Sequence, residues 1–276
     1  MEFETLSESE FERFRNLIYR LSGIRVQPTK QVLVANRLRR RLKETGIATY
    51  EAYYRFLNSP EGRTEVANFL DAITTNETYF FRDPTQFEWL GGPFLDALVS
   101  DVAHGRHPKS LRIWSAASSS GEELYTIATV LREHAGRLGG WRIDLLGTDL
   151  SGGVLESARA GQYDQRALRL VEPKRRANFF RNLPTDATKW EVVPELKKMT
   201  RWKKHNLMFP LAAEEPFDVI FLKNVLIYFD NDSKEKVLRN VLAALRPGGY
   251  LVVGPTDAVA KFLEGTTRER PWLFRK

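Results

Sequence analysis

Ten consecutive residues, Thr74-Thr75-Asn76-Glu77-Thr78-Tyr79-Phe80-Phe81-Arg82-Asp83, combine hydroxyls, an amide, an aromatic run and a charge pair. Neither a period of 2 nor one of 3.6 organises them, so packing alone does not explain the stretch. It reads as a ligand loop more readily than as a solvated linker. A second candidate is Ser118-Ser119-Ser120-Gly121-Glu122-Glu123, between the apolar run Leu111–Ala117 and a helical stretch Glu122–His134. Its single glycine suits a dinucleotide fingerprint poorly, because backbone approaches a pyrophosphate through several. Two adjacent glutamates would also repel phosphate, so a cationic ligand fits better. Glu122 can serve the helix N-terminus through its dipole instead. Asp149 ends the run Ile143–Asp149, where a carboxylate can accept both hydroxyls of an unphosphorylated ribose. Its structural alternative is a cap for the helix from Ser151, a task Ser151 can perform itself.

The elements that must position these groups fall into two sets. Residues 1–88 read as helices. Ser7 and Glu10 form a capping box, and Phe11, Phe14, Leu17, Ile18 and Leu21 recur at helical spacing until Gly23. Pro28 suits the first residue of a second helix, with Val34, Ala35, Leu38 and Leu42 as its apolar stripe and Gly46 as its stop. Lys30, Arg37, Arg40 and Arg41 then share its opposite face. Thr49 caps a third helix through Leu57, and a fourth covers about 64–73. Beyond residue 109, Leu111–Ala117, Ile143–Asp149, Phe217–Leu222 and Tyr250–Gly254 are short apolar runs with helical stretches between them. The alternation predicts an α/β doubly wound sheet with ligands at the carboxyl ends of its strands. Trp272-Leu273-Phe274 can close it as an antiparallel strand. Residues 160–206 read as an insertion, with Trp190–Val193 and Thr200–Lys204 as strands of a small subdomain.

Composition narrows the chemistry. The chain has 276 residues, 42% of them hydrophobic, enough for a real core. It has no cysteine, which excludes disulfides, thiolate metal sites and cysteine nucleophiles. The four histidines show no paired helical spacing, so no metal is expected. No cationic start followed by an apolar core marks a signal peptide, and no apolar run spans a bilayer, so a cytoplasmic protein without membrane insertion is expected. The net charge is +7, unevenly spread: Arg20 to Lys43 holds eight basic residues and no acidic one. Residues 159–204 hold thirteen basic against five acidic, whereas residues 1–12 hold five glutamates. Such zones suit an acidic macromolecular partner.

Thr74–Asp83, Ile113–Glu123 and Phe217–Asp230, in this order and spacing, resemble the CheR family of chemotaxis-receptor glutamate O-methyltransferases, and the resemblance covers essentially the whole chain. It implies a class I methyltransferase, Rossmann-like sheet with a small all-helical N-terminal domain (1–88), a methyltransferase domain (89–276) and a β-subdomain inserted at about 160–206. It implies S-adenosylmethionine as cofactor, whose ammonium and sulfonium satisfy the cationic expectation, with Glu123 as ligand acid. Asn76, Thr78, Arg82, Asp149, Asn206-Leu207 and Asn224-Val225 would complete the cofactor site. A glutamate nucleophile is ionised at pH 7, so no general base is needed. Arg82, with Tyr228 second, would orient the substrate carboxylate. The implied partner is the acidic cytoplasmic helical region of a chemoreceptor, met by Arg37, Arg40 and Arg41, with the enzyme a monomer. Three departures stand out: Ser118-Ser119-Ser120 replaces a Cys/Ala-Ser-Thr loop, Lys223 replaces an arginine, and Gly254-Pro255-Thr256-Asp257 replaces Gly-His/Gly-x-Ser-Glu. The alternatives are a cofactor-binding sensor without catalysis and a nucleic-acid methyltransferase. Against the latter, no Asn-Pro-Pro-Tyr-like motif follows the fourth strand, and no nucleic-acid partner is expected.

Overall fold

The computed structural model describes residues 5–213 and 215–276; the acidic residues 1–4, part of the glutamate-rich start, lie outside the described residues. Four helices open the chain: α1 (Glu8–Ser22), α2 (Gln31–Thr45), α3 (Tyr50–Leu57) and α4 (Arg63–Ile73). Ser7 and Glu10 close the expected capping box on α1, and Gly23 ends it in the left-handed conformation. Thr49 caps α3 by accepting from Ala52 N. Pro28 begins a single 3₁₀ turn, and α2 proper starts at Gln31. The apolar stripes of the four helices meet in one core running from Leu6 to Ile73.

Two helices follow that the sequence pattern did not reveal, α5 (Pro84–Trp89) and α6 (Leu95–Ala103), joined by a π-helical turn over Leu90–Phe94. Gly91, Gly92 and Pro93 interrupt the helical rhythm there, and the widened turn accommodates them. The sheet strands are β1 (Ser110–Ala116), β2 (Arg142–Asp149), β6 (Thr200–Lys204), β7 (Phe217–Leu222), β8 (Leu245–Val253), β9 (Thr267–Arg270) and β10 (Leu273–Arg275). Their order is β6-β2-β1-β7-β8-β10-β9. The first five run parallel, and β10 returns antiparallel to β8 as the terminal hairpin expectation required. Helices α7 (Glu122–Glu133), α8 (Gly152–Ala160) and α11 (Asn231–Ala244) cross over between strands. β1 and β7 are almost wholly buried, as is the carboxyl-terminal part of β2, which explains their apolar runs.

The insertion holds β3 (Gln162–Asp164), α9 (Pro173–Phe179), β4 (Phe180–Leu183), β5 (Asp186–Val192) and α10 (Pro194–Lys197), with the strands in a small antiparallel sheet ordered β3-β5-β4. Thr200–Lys204 corrects the sequence expectation. It pairs in parallel with β2 at the edge of the main sheet, not with the subdomain. Its Arg-Trp-Lys-Lys composition gave no buried-strand signal because an edge strand keeps one side in water. Among the described residues no helix is long and apolar enough to cross a membrane.

Candidate active site

The sheet reverses its winding at β1, where β2 lies on one side and β7 on the other. A crevice opens at that point, at the carboxyl ends of the strands. It is a cleft partly open to solvent. Every cofactor and catalytic candidate from the sequence lines it: Asn76, Thr78, Arg82, Glu123, Asp149, Asn206, Leu207, Asn224, Val225 and Tyr228. Arg37, Arg40 and Arg41 do not line it.

The segment after α4 divides its labour. Phe80 and Phe81 are buried in the core of the sheet domain, where Phe80 meets Tyr163 and Phe180 edge-on, at 4.8 and 5.0 Å between ring centres. Phe81 N donates to Thr126 Oγ1 on α7 at 3.1 Å. With the aromatic half anchored, Thr74–Thr78 form one wall of the cleft. Arg82 donates to the Glu77 carbonyl at 3.1 Å. The acids nearest to it in sequence turn elsewhere: Asp83 faces Lys223 Nζ at 3.3 Å and Glu77 pairs with Arg166.

The loop after β1 bends through left-handed residues at Ala117 and Ser119, then at Gly121. A side chain at Gly121 would lie 2.8 Å from Trp202 and 2.9 Å from Ala158, so only glycine lets the chain pass. Asp149 Oδ2 accepts from Ser119 N at 2.9 Å and Oδ1 from Ser151 N at 3.0 Å. Ser151 caps α8 itself, so Asp149 keeps acceptor capacity for a ligand. Burial pushes the Asp149 carboxyl above its ordinary range, while the backbone donors pull it down. Glu123 Oε1 accepts from Ser115 at 2.8 Å, and its Oε2 stands 3.5 Å from Lys223 Nζ. Glu122 is only 4% exposed and its carboxyl is pushed up to about 7, mainly by burial. It lines a neighbouring pocket with Ser120 and Asp164.

The helical unit supplies part of the cleft. Arg25 N donates to the Tyr228 carbonyl at 2.8 Å and Ile24 bridges to Phe229, pinning the turn that carries Tyr228. Asn206 donates to the Leu21 carbonyl at 2.9 Å while its Oδ1 accepts from Met208 N, so its side chain closes its own turn. Asp71 on α4 accepts from Gly152 N and Gly153 N at 3.0 and 2.9 Å, just beyond Asp149. Nothing in the sequence distinguished Asp71. Lys223, noted only as a departure, is buried at the cleft floor and donates to the Arg82 carbonyl at 2.9 Å. On α2, Arg37 bonds to the Ile73 carbonyl and to Thr75 Oγ1, near enough to Tyr228 to interact electrostatically. Arg41 is tied to Glu65 by two hydrogen bonds of 2.8 Å, and Arg40 is exposed.

The lining offers two carboxylates, Asp149 and Glu123, with apolar cover from Leu207 and Val225, which suits a ligand carrying hydroxyls and a cation beside an apolar ring. S-adenosylmethionine has those parts. Fold and cleft together define a class I methyltransferase. A family model described as the CheR methyltransferase SAM-binding domain matches residues 76–269, and one described as the CheR methyltransferase all-alpha domain matches residues 9–74. A chemotaxis protein methyltransferase of Vibrio parahaemolyticus is 36% identical over 258 residues, covering 92% of this chain and 91% of that protein. One from Borreliella burgdorferi is 33% identical, covering 92% and 89%, and chemotaxis protein methyltransferase 1 of Pseudomonas aeruginosa is 36% identical, covering 92% and 91%. The chain belongs to the CheR methyltransferase family, and its cofactor is S-adenosylmethionine.

Proposed function

We propose that this protein esterifies glutamate carboxylates in the cytoplasmic helical region of a chemoreceptor, as part of chemotactic signal transduction. The observation that carries the reading is the cleft itself, which gathers Glu123, Asp149, Arg82 and Tyr228 around one opening. When bound, S-adenosylmethionine supplies a methyl group on a sulfonium centre. Glu123 would hold its ammonium end, Asp149 its ribose hydroxyls, and Asn76, Thr78, Asn206, Leu207, Asn224 and Val225 would line the remainder. Arg82 would align the substrate carboxylate, with Tyr228 fixing its second oxygen. Orientation and exclusion of water are the work required, since the nucleophile is already ionised. Lys223 sits between Asp83 and Glu123, at 3.3 and 3.5 Å.

In this reading residues 1–88 form the docking domain and 89–276 the methyltransferase domain of a monomeric cytoplasmic enzyme. Arg40 is the free basic residue of the three named on α2; Arg37 acts at the cleft mouth, and Arg41 chiefly holds Glu65. The experiment is incubation with methyl-labelled S-adenosylmethionine and candidate receptor cytoplasmic fragments. Carboxyl methyl esters release methanol in base, so label on the fragment should be lost on mild alkali. Base-stable label, or label on nucleic acid, overturns the proposal. Tight cofactor binding with no transfer to any fragment would favour the sensor alternative.

A further inference from the structure

The loop after β7 carries Asn224 and, beginning two residues on, the turn Leu226–Tyr228. Its backbone is strained: Asn224 is left-handed at φ 57°. Non-glycine residues in that region are few among the described residues, namely Phe81, Asp83, Ala117, Ser119, Asn224 and Ala258. The first five belong to the three segments that wall the cleft. Ala258 alone lies outside them, and it follows Asp257, in the segment where the sequence departs from the family motif.

Asp257 is fully buried, at 0% exposure. Its carboxylate meets backbone, not a cation: Oδ2 accepts from Asn224 N and Gly254 N, both at 2.8 Å, and Oδ1 from Leu226 N at 3.1 Å. Gly254 has no room for a side chain, because a Cβ would lie 2.6 Å from Asp257 Oδ2 and 2.8 Å from Asn224 N. The strained loop is thus wrapped around one carboxylate from the next strand end. Hydrogen bonds from amides to an ionised acceptor are among the stronger ones, enough to hold a left-handed asparagine.

We propose that Asp257 is a positioning residue for the cofactor cleft: its carboxylate fixes the Asn224–Leu226 backbone and through it the placement of Asn224 and Tyr228. The proposal rests on the cleft being the cofactor site. Asp257→Asn is the informative change, since it keeps the shape while turning an amide donor toward one or more N–H donors. Calorimetric titration with S-adenosylhomocysteine should show a Kd raised about tenfold or more. Leu98→Ala, in the core on α6 away from the cleft, serves as a control for lost stability and should leave Kd within about twofold. An unchanged Kd in Asp257→Asn, or an equal loss in Leu98→Ala, overturns the proposal. A second measurement needs no variant: in the wild type, amide hydrogen exchange at Asn224, Leu226 and Gly254 should be slow although they lie in loops, and fast exchange there overturns the proposal even where Asp257→Asn fails to fold. Because binding is read apart from transfer, a wild type that binds S-adenosylhomocysteine but esterifies no receptor fragment refutes the receptor reading alone.

Discussion

Two buried carboxylates, one in the helical unit and one in the cleft, are treated in opposite ways. Glu65 on α4 has both oxygens doubly occupied: Arg41 Nε and Tyr53 on one, Arg41 and Asn68 on the other. Asp149 receives two backbone hydrogen bonds and retains acceptor capacity beside the cavity. Accordingly, Glu65 is held below the ordinary carboxylate range by those donors despite its burial, while burial leaves Asp149 above it. Backbone strain follows the same division. The left-handed residues of α1 to α4 and their turns are glycines, whereas the cleft loops use Phe81, Asp83, Ala117, Ser119 and Asn224. A saturated network over relaxed helices stabilises; an unsaturated one on strained loops is prepared for a ligand.

Exchanging the roles is the way to break this contrast. Arg41→Ala would leave Glu65 buried with half its partners gone, a loss on the order of 3–5 kcal/mol. Denaturant unfolding should show that loss, with the Kd for S-adenosylhomocysteine unchanged; weakened binding would mean that Arg41 serves the cleft. Asp149→Ala, unlike Arg41→Ala, should raise Kd by about ten- to a hundredfold, and because it orphans the Ser119 and Ser151 amides it should cost stability as well. Unaltered affinity in a folded variant would remove Asp149 from the ribose role.

Glu122 sharpens the comparison through pH. Its folded value of about 7 lies above its ordinary 4.5, so the fold favours the protonated form. The stability it contributes is therefore full below about 4.5 and is lost as pH rises through about 7. Glu122→Gln should remove that loss and stabilise the protein at pH 8 by about 2 kcal/mol relative to pH 5, measured by urea midpoints. Parallel pH profiles for variant and wild type would show that Glu122 is ionised in the fold. The smallest effect is expected from Arg40→Glu, exposed on α2. It should raise the Michaelis constant for a receptor fragment a few-fold at low salt and leave cofactor binding alone. Unchanged kinetics would point instead to the basic insertion.

Much of this division was legible in the sequence where local chemistry decides it. Ser7 with Glu10, Thr49, Gly23 and Gly46 mark helix ends through their own backbone demands, and the apolar runs mark the buried parallel strands. The cleft residues could be gathered in advance because most of them follow strand ends, and a doubly wound sheet binds its ligands at the carboxyl ends of its strands. What remained hidden depends on partners distant in sequence. Arg41 looked free on an amphipathic face, yet Glu65 lies one helix pair away. Asp71 bonds the start of α8 from another domain, and Asp257 reads as an ordinary turn acid until Asn224 is folded around it. Thr200–Lys204 reads as a strand of the small subdomain, the wrong sheet, because an edge strand shows little of its partner in its own composition.

In the proposed mechanism the two sides of the cleft do separate work, the acids binding the cofactor and Arg82 orienting the acceptor. The most direct test of that division is Arg82→Ala, with turnover on a receptor fragment and the Kd for S-adenosylhomocysteine measured on the same preparation. Turnover should fall by about a hundredfold or more while Kd stays within a few-fold, the pattern of a group used in aligning the nucleophile. Activity within a few-fold of wild type, or affinity and turnover falling together, would contradict it.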